Sequence, residues 1–143
     1  RSDDYPWAST PEQREETTEF YRQHWGNELG TLEDFAPSVA DDEQFRTWFK
    51  RLMRLGASPG AVVALNQMNA TIDIRHILPT IQVPTLVLHR TGDRDTPVEA
   101  GRYIAARIPG ARMVELPGED HMSFIGDQES VLVEIETFVR GLE

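Results

Sequence analysis

The chain contains no cysteine, and this absence removes several kinds of chemistry. Disulfide bonds, thiolate nucleophiles and cysteine-ligated metal sites are all excluded. A chain without cysteine also fits a reducing compartment, so we expect a cytoplasmic protein.

Long apolar runs are absent as well. No stretch approaches the roughly 18 consecutive apolar residues that a membrane-spanning helix needs. The first ten residues, RSDDYPWAST, lack the shape of a signal peptide. The chain begins at Arg1 rather than at Met, and we therefore expect it to be a segment excised or processed from a longer protein.

Positive charge is scarce, since 14 Lys and Arg residues stand against 24 Asp and Glu residues, for a net charge of −10. A surface this acidic repels phosphate backbones and anionic lipids, so we expect neither nucleic acid nor a membrane as a partner. The 39% hydrophobic and 27% charged content indicates a globular chain. Its 143 residues fit one domain or part of a larger one.

The first half of the chain has a helical pattern. Thr10 and Pro11, with Gln13 completing a capping box, predict a helix that runs to about Trp25 and stops at Gly26. A second helix is predicted over about residues 41–55, a third over about 59–70 and a short fourth from about 73. The second carries an apolar stripe of Phe45, Trp48, Phe49, Leu52 and Met53. We interpret the aromatic residues of this half as core, with an acyl pocket under a cap as the alternative.

The second half alternates between strands and helices. VPTLVLH predicts a buried parallel strand and RMVEL a second one. A capping box of Thr96, Pro97 and Glu99 predicts a helix between them that ends near Ile108. The final helix is predicted from an Asp127 cap to about residue 140, with an inner stripe of Val131, Leu132, Ile135, Phe138 and Val139.

This strand, helix, strand, helix order predicts a parallel pair with a right-handed crossover, and therefore an α/β fold. Two parallel strands are too few to stand alone. We therefore expect their outer edges to pair with strands from missing sequence or with a second copy of the chain in a homodimer.

GASPG, residues 56–60, matches the G-x-S-x-G pattern of serine nucleophiles. A nucleophile elbow follows a strand, whereas a helical pattern precedes Ser58. The residue after the nucleophile must also give its backbone N–H to the oxyanion hole, and Pro59 has none. We therefore interpret Ser58 as the N-cap of the third helix and not as a nucleophile.

Acidic residues and a histidine follow the two predicted strands. Asp93 and Asp95 lie in the loop after the first, and His121 lies in the loop after the second. The carboxyl ends of neighbouring parallel strands emerge at one edge of a sheet, so an acid and a histidine converge there. A carboxylate that accepts the imidazole N–H fixes its tautomer for proton transfer.

Each of these residues also has an ordinary interpretation. Asp93 fits a turn, Asp95 fits an exposed loop charge and His121 fits a surface histidine. Asp93 is our candidate for the acid, with Asp95 as the alternative, and His121 is our candidate for the base. The other histidines show no metal-ligand spacing, and we interpret them as structural: His24, His76 and His89.

Taken together, residues 72–141 resemble the C-terminal half of an α/β-hydrolase, and the preceding helices resemble its inserted cap. The resemblance implies a helical cap-like segment over residues 1–71 and a core segment over residues 72–143. The family's acid, in a G-D turn a few residues before a proline, corresponds to Asp93, and its histidine corresponds to His121. The nucleophile and the oxyanion hole would then lie before Arg1, so the segment alone should be inactive.

The resemblance implies hydrolysis of a small ester or acyl substrate by the intact protein, with no metal or organic cofactor. The stretches DYPW, ASPG, MN, D-x-R and LHRTGD are further similar to a hydrolase-like domain that precedes a class III adenylate/guanylate cyclase in some bacterial proteins. That branch implies an alternative function, a non-catalytic sensor or regulatory domain.

Overall fold

The computed structural model describes residues 2–30 and 32–142. Its chain forms two compact units, the first from residues 1–30 and 40–73 and the second from residues 31–39 and 74–143. The regular elements are α1 (Pro11–His24), α2 (Leu32–Phe35), α3 (Glu43–Gly56), α4 (Pro59–Ala70), β1 (Leu86–Arg90), α5 (Val98–Ala105), β2 (Arg112–Leu116) and α6 (Gln128–Arg140). Short 3-10 helices cover Pro37–Val39 and Arg75–Thr80, the second in place of the predicted fourth helix.

The first unit contains α1, α3 and α4. The predicted capping box of α1 is confirmed, because Thr10 accepts from the backbone of Gln13 while the Gln13 side chain accepts from Thr10. After α1 the chain turns at Gly26, whose φ of +73° suits glycine. Helices α1 and α4 pack together, and the Asn66 amide donates to the hydroxyl of buried Thr18 at 2.8 Å.

The predicted apolar stripe of α3 is only partly buried. The interpretation of its aromatic residues as core is wrong for Trp48, whereas Phe45 and Phe49 are half-buried. Met53 is the buried residue of this helix, whereas Trp48 and Leu52 are each 45% exposed. The Trp25 indole anchors the C-terminal end of α3 by donating to the carbonyls of Met53 and Ala57. The rings of Phe45, Trp48 and Phe49 contact one another.

The second unit contains the sheet. Strands β1 and β2 pair in parallel, with Leu86 opposite Arg112 and Arg90 opposite Leu116. Helix α5 connects them and packs on both strands. The predicted parallel pair is therefore confirmed, and both strands end at the same edge.

Helix α5 begins later and ends earlier than predicted, and the capping box predicted for it is wrong. Pro97 is the N-cap and makes no side-chain cap bond. The Thr96 hydroxyl donates to Asp95 instead, and the Thr96 N–H donates to Asp93. Thr96 thus belongs to the turn around Asp93.

Helix α6 has the predicted bounds, with Asp127 as N-cap and Gly141 as C-cap. Its predicted inner stripe is only partly covered, because Val131 and Phe138 are half-buried whereas Leu132 and Val139 are 53% and 52% exposed. The helix packs on β1 and β2, and two strands form too narrow a surface to cover its apolar face.

Across residues 2–30 and 32–142, we find no helix with both the length and the apolar character needed to cross a membrane.

Candidate active site

The loop after β1 holds Asp93 in a fixed orientation. The Oδ1 atom of Asp93 accepts the backbone N–H groups of Asp95 and Thr96, both at 3.0 Å. The Asp93 side chain is only 6% exposed. These bonds leave the second carboxylate oxygen free to face another group.

The loop after β2 runs against the loop after β1, residues 91–97, which is called the acid loop below. The N–H of Gly92 donates to the carbonyl of Gly118 at 2.9 Å, which continues the pairing of the strands beyond their ends. A Cβ on Gly92 would lie 2.9 Å from that carbonyl oxygen, so a larger residue would separate the loops. Glycine at position 92 therefore permits the close approach that the site requires.

His121 is held by a segment that lies far away in sequence. The backbone N–H of His121 donates to the carbonyl of Phe35 at 2.9 Å. The Phe35 ring meets the imidazole edge to face, with the ring centroids 5.5 Å apart. The segment of residues 32–39 belongs to the same compact unit as His121.

The structure brings His121 and Asp93 together. His121 Nδ1 lies 2.8 Å from Oδ2 of Asp93, within hydrogen-bond distance, and 3.8 Å from Oδ2 of Asp95, beyond it. Because an ionised carboxylate only accepts, Nδ1 carries the proton of this bond and Nε2 of the neutral ring keeps its lone pair. The arrangement can therefore accept a proton at Nε2.

His89 also lies beside Asp93, which the sequence analysis missed. Its Nε2 lies 2.9 Å from the carbonyl of Thr96 and 3.5 Å from Oδ2 of Asp93. The bond to a carbonyl requires a proton on Nε2, so His89 directs a positive edge toward the carboxylate. The sequence does contain a signal for this contact, because His89 lies near the end of the predicted strand and Asp93 lies only four residues later.

The two acidic residues before His121 have other partners. Glu119 forms an exposed ion pair with Arg94. The Asp120 side chain is buried, accepts the N–H of Ser38 at 3.0 Å and faces Arg90, with Oδ2 3.8 Å from Nη1. Arg90 is likewise buried, and sequence reasoning gave it no role because an arginine at a strand end is ordinarily exposed.

The remaining candidates lie elsewhere. Ser58 Oγ accepts the N–H of Ala61 at 3.2 Å as the N-cap of α4, so Ser58 is a helix cap. His24 pairs with Glu28, and His76 is exposed. Within the described ranges 2–30 and 32–142, no three His, Asp or Glu side chains form a group that could hold a metal ion.

A cavity of about 260 Å³ adjoins the acid and histidine pair. Its polar lining includes Asp93, His121 and Ser123, together with His89, Arg90 and Asp120. Its apolar walls come from β1, β2 and α6 through Leu88, Leu116, Val131 and Ile135. A polar edge beside an apolar wall is typical of small-molecule sites.

Known proteins resemble this chain in sequence and in fold. The family described as TAP-like protein matches residues 66–143. The pimeloyl-[acyl-carrier protein] methyl ester esterase of Stenotrophomonas maltophilia is 30% identical over 148 aligned residues, which cover 99% of this chain and 56% of the esterase. The enzyme of the same name from Aromatoleum aromaticum is 32% identical over 83 residues, 58% of this chain and 33% of the esterase.

Among solved structures, a hydrolase from Pseudomonas aeruginosa superposes with a TM-score of 0.77 at 25% identity. The match covers 93% of this chain and 51% of the hydrolase. The chain thus spans between a third and just over half of the length of these two curated relatives.

Proposed function

Because the chain belongs to the TAP-like protein family of the α/β-hydrolase superfamily, we propose that it supplies the acid and the base of an ester hydrolase, with Asp93 orienting His121. The observation that carries this proposal is the 2.8 Å bond between His121 Nδ1 and Asp93 Oδ2 beyond the carboxyl ends of two parallel strands. Functional groups of parallel α/β sheets gather at that edge.

The fold agrees with this membership. The predicted fold class, a partial α/β-hydrolase fold with a helical segment before a strand, helix, strand, helix unit, is confirmed by the parallel pair and by the likeness to the Pseudomonas hydrolase. We further propose that the helical part, over about residues 1–71, serves as a cap and that residues 72–143 form the core segment.

The proposed reaction adds water across an ester, releasing a carboxylic acid and an alcohol. His121 Nε2 first takes the proton from the nucleophile's hydroxyl group while that oxygen bonds to the acyl carbon, and then gives the proton to the departing alkoxide, which leaves as the alcohol. It next takes a proton from a water molecule that attacks the acyl-enzyme, and returns this proton to the nucleophile's oxygen as the carboxylic acid leaves. Asp93 stabilises the imidazolium that forms between these steps. We propose that the nucleophile and the oxyanion donors come from the rest of the intact protein, because Ser58 is engaged as a cap.

The cavity supports a small acyl substrate. Its volume of about 260 Å³ lies slightly below the range of roughly 300–1,000 Å³ for small-molecule pockets. The apolar wall would contact the acyl chain, and the ester carbon would lie near His121. By analogy with the two methyl ester esterases, we propose a carboxylic ester with a small alcohol group as the substrate class.

The second candidate is a non-catalytic sensor or regulatory domain of a bacterial adenylate or guanylate cyclase. It is favoured by the role of Ser58 as a helix cap. Ser58 is the serine of the one G-x-S-x-G motif in this sequence, so that motif supplies no nucleophile to Asp93 and His121. The same cavity would then bind its ligand without cleaving it.

Hydrolysis of p-nitrophenyl acetate by the full-length protein that contains this chain tests the first proposal. Removal of one member of such a constellation lowers kcat by about 10⁴-fold or more in well-studied cases, so we expect His121→Ala to lower kcat/KM at least ~10³-fold. His76→Ala is the matched control, because His76 is an exposed histidine of the same unit, and it should retain activity.

An active His121→Ala variant would overturn the proposal. A wild-type protein that hydrolyses no ester, yet binds one and changes an attached cyclase activity on binding it, would support the second candidate instead.

A further inference from the structure

Arg90 occupies the interior of the loop that carries His121. This loop, Pro117–Asp127, is called the histidine loop below. Arg90 is the last residue of β1 and is only 7% exposed. An arginine this buried requires partners for both its charge and its N–H donors.

The guanidinium group of Arg90 donates to four carbonyls of the histidine loop. Nη1 donates to Asp120 at 3.0 Å and to Met122 at 3.2 Å, and Nη2 donates to Ile125 and, at 3.4 Å, to Asp127. The histidine loop contains no helix or strand that would supply regular backbone donors, although the Met122 carbonyl also accepts the N–H of Ile125 at 3.0 Å. Two of the four carbonyls directly flank His121.

The charge of Arg90 is balanced inside the same loop. The Asp120 carboxylate is 7% exposed and lies 3.8 Å from Nη1. The loop backbone also passes closely around the pair, because a Cβ on Gly126 would lie 2.7 Å from Asp120 Oδ2 and one on Gly118 would lie 3.0 Å from Arg90 Cδ. Both glycines have positive φ, +68° and +128°. The histidine loop is therefore built around the arginine.

We propose that Arg90 is a positioning residue that holds the histidine loop so that His121 stays bonded to Asp93. Arg90 ends the strand from which the acid loop starts, so the acid and the histidine are located relative to the same strand end. A lysine would keep the charge, but its single ammonium cannot replace the planar fork that serves four carbonyls. The role of His121 as a base rests on the function proposed above, whereas the positioning geometry does not.

The test is NMR of the 143-residue chain, observing the hydrogen-bonded Nδ1 proton of His121, assigned by its loss in His121→Gln. We expect Arg90→Lys to make this proton exchange with water about tenfold faster or more, because the loop opens more readily. The amide signals of β1 and β2 should persist. Arg112→Lys is the matched control, because Arg112 forms an exposed ion pair with Glu134 and should leave the His121 proton unchanged.

A purely structural role for Arg90 predicts a different result. Ile108→Val removes a methyl group from a buried residue of the same unit outside the Arg90 bonds and should lower the Tm without affecting the His121 proton. If Arg90→Lys behaves in the same way, with a lower Tm but unchanged exchange of that proton, the proposal is overturned.

Should Arg90→Lys fail to fold, Asp120→Asn tests the same point, because it removes the countercharge while keeping the side-chain size. Faster exchange of the His121 proton supports the proposal, and unchanged exchange overturns it. Because this readout needs no turnover, an absence of ester hydrolysis would contradict the proposed function and leave the positioning role standing.

Discussion

The imidazole Nδ1 of His121 lies 2.8 Å from Oδ2 of Asp93, although 28 residues separate the two in sequence. Neither residue belongs to a helix or a strand, yet each follows directly from one of two paired strands. The bond thus depends on the strand register and on the loops beyond it.

Asp93→Asn should remove the hydrogen bond that orients the His121 ring, whereas Asp95→Asn should leave that bond in place. An asparagine at position 93 retains an Oδ1 acceptor for the loop N–H groups, but its NH₂ cannot accept from Nδ1 of His121. We expect kcat/KM of the full-length protein for p-nitrophenyl acetate to fall about 10³-fold or more, since the imidazole then takes the wrong tautomer. If Asp93→Asn and Asp95→Asn lower kcat/KM equally, the assignment of the acid role to Asp93 alone is wrong.

Ser58→Ala should reduce stability without reducing ester hydrolysis. Ser58 Oγ accepts the Ala61 N–H, and loss of such an N-cap costs about 0.5–2 kcal/mol. Urea unfolding of the 143-residue chain measures this cost, and Ser58→Asp, which keeps a capping oxygen, is the control. Loss of hydrolysis in Ser58→Ala would show instead that the serine of GASPG is a nucleophile.

The sequence predicts local features of this fold well, because their causes are local. The cap of α1 at Thr10 and the cap of α4 at Ser58 follow from residues within one turn. The parallel strands follow from apolar runs bounded by loops, and the convergence of Asp93 with His121 follows from parallel pairing.

Contacts between distant residues left no comparable signal. Phe35 lies within a predicted loop, yet its carbonyl holds the backbone of His121. Ser38 binds Asp120 across 82 residues. In the sequence, nothing distinguishes Arg90 from an exposed arginine. Only the folded structure shows that its N–H groups donate to carbonyls of the histidine loop. Such contacts depend on tertiary packing, which neither periodicity nor capping motifs encode.

Gly101→Ala should destabilise the chain although alanine favours helices. A Cβ at position 101 would lie 2.7 Å from Nδ1 of His89 and 3.1 Å from the end of the Met113 side chain, so the His89 ring would have to shift from its place beside the Thr96 carbonyl. Gly60 is the matched control, because it is also helical and has no atom within 4 Å of its added Cβ. Gly60→Ala should raise stability by about 0.5–1 kcal/mol. A Gly101→Ala variant with a raised Tm would contradict this packing argument.

The 143-residue chain should be a dimer in solution. The sheet of the described residues has two strands, so each strand has one edge without a neighbouring strand. Unpaired edges favour pairing with another chain, and a twofold dimer is the commonest closed assembly. Size-exclusion chromatography with light scattering measures the mass directly, and a monomer across the accessible concentration range would refute the prediction.

The cap of α6 should make stability depend on pH. The Ser130 hydroxyl, followed by the Ser130 backbone N–H, lowers the pKa of Asp127. Because the folded pKa lies below the unfolded value of about 3.9, the ionised cap stabilises the fold above that value. This contribution is lost as the pH falls through the folded pKa. We therefore expect Ser130→Ala to be less stable than the wild type at pH 7, and the difference to shrink on acidification.

Urea unfolding of both proteins at neutral pH and at about pH 3, below the usual aspartate pKa, measures the two differences in free energy. Thr137→Ala on the same helix is the control, because Thr137 is an exposed residue distant from the cap and its effect should not vary with pH. If the Ser130→Ala difference is as large at acid pH as at neutral pH, the ionised form of Asp127 is not what the hydroxyl stabilises. The cap would then act through packing or through the neutral carboxyl group.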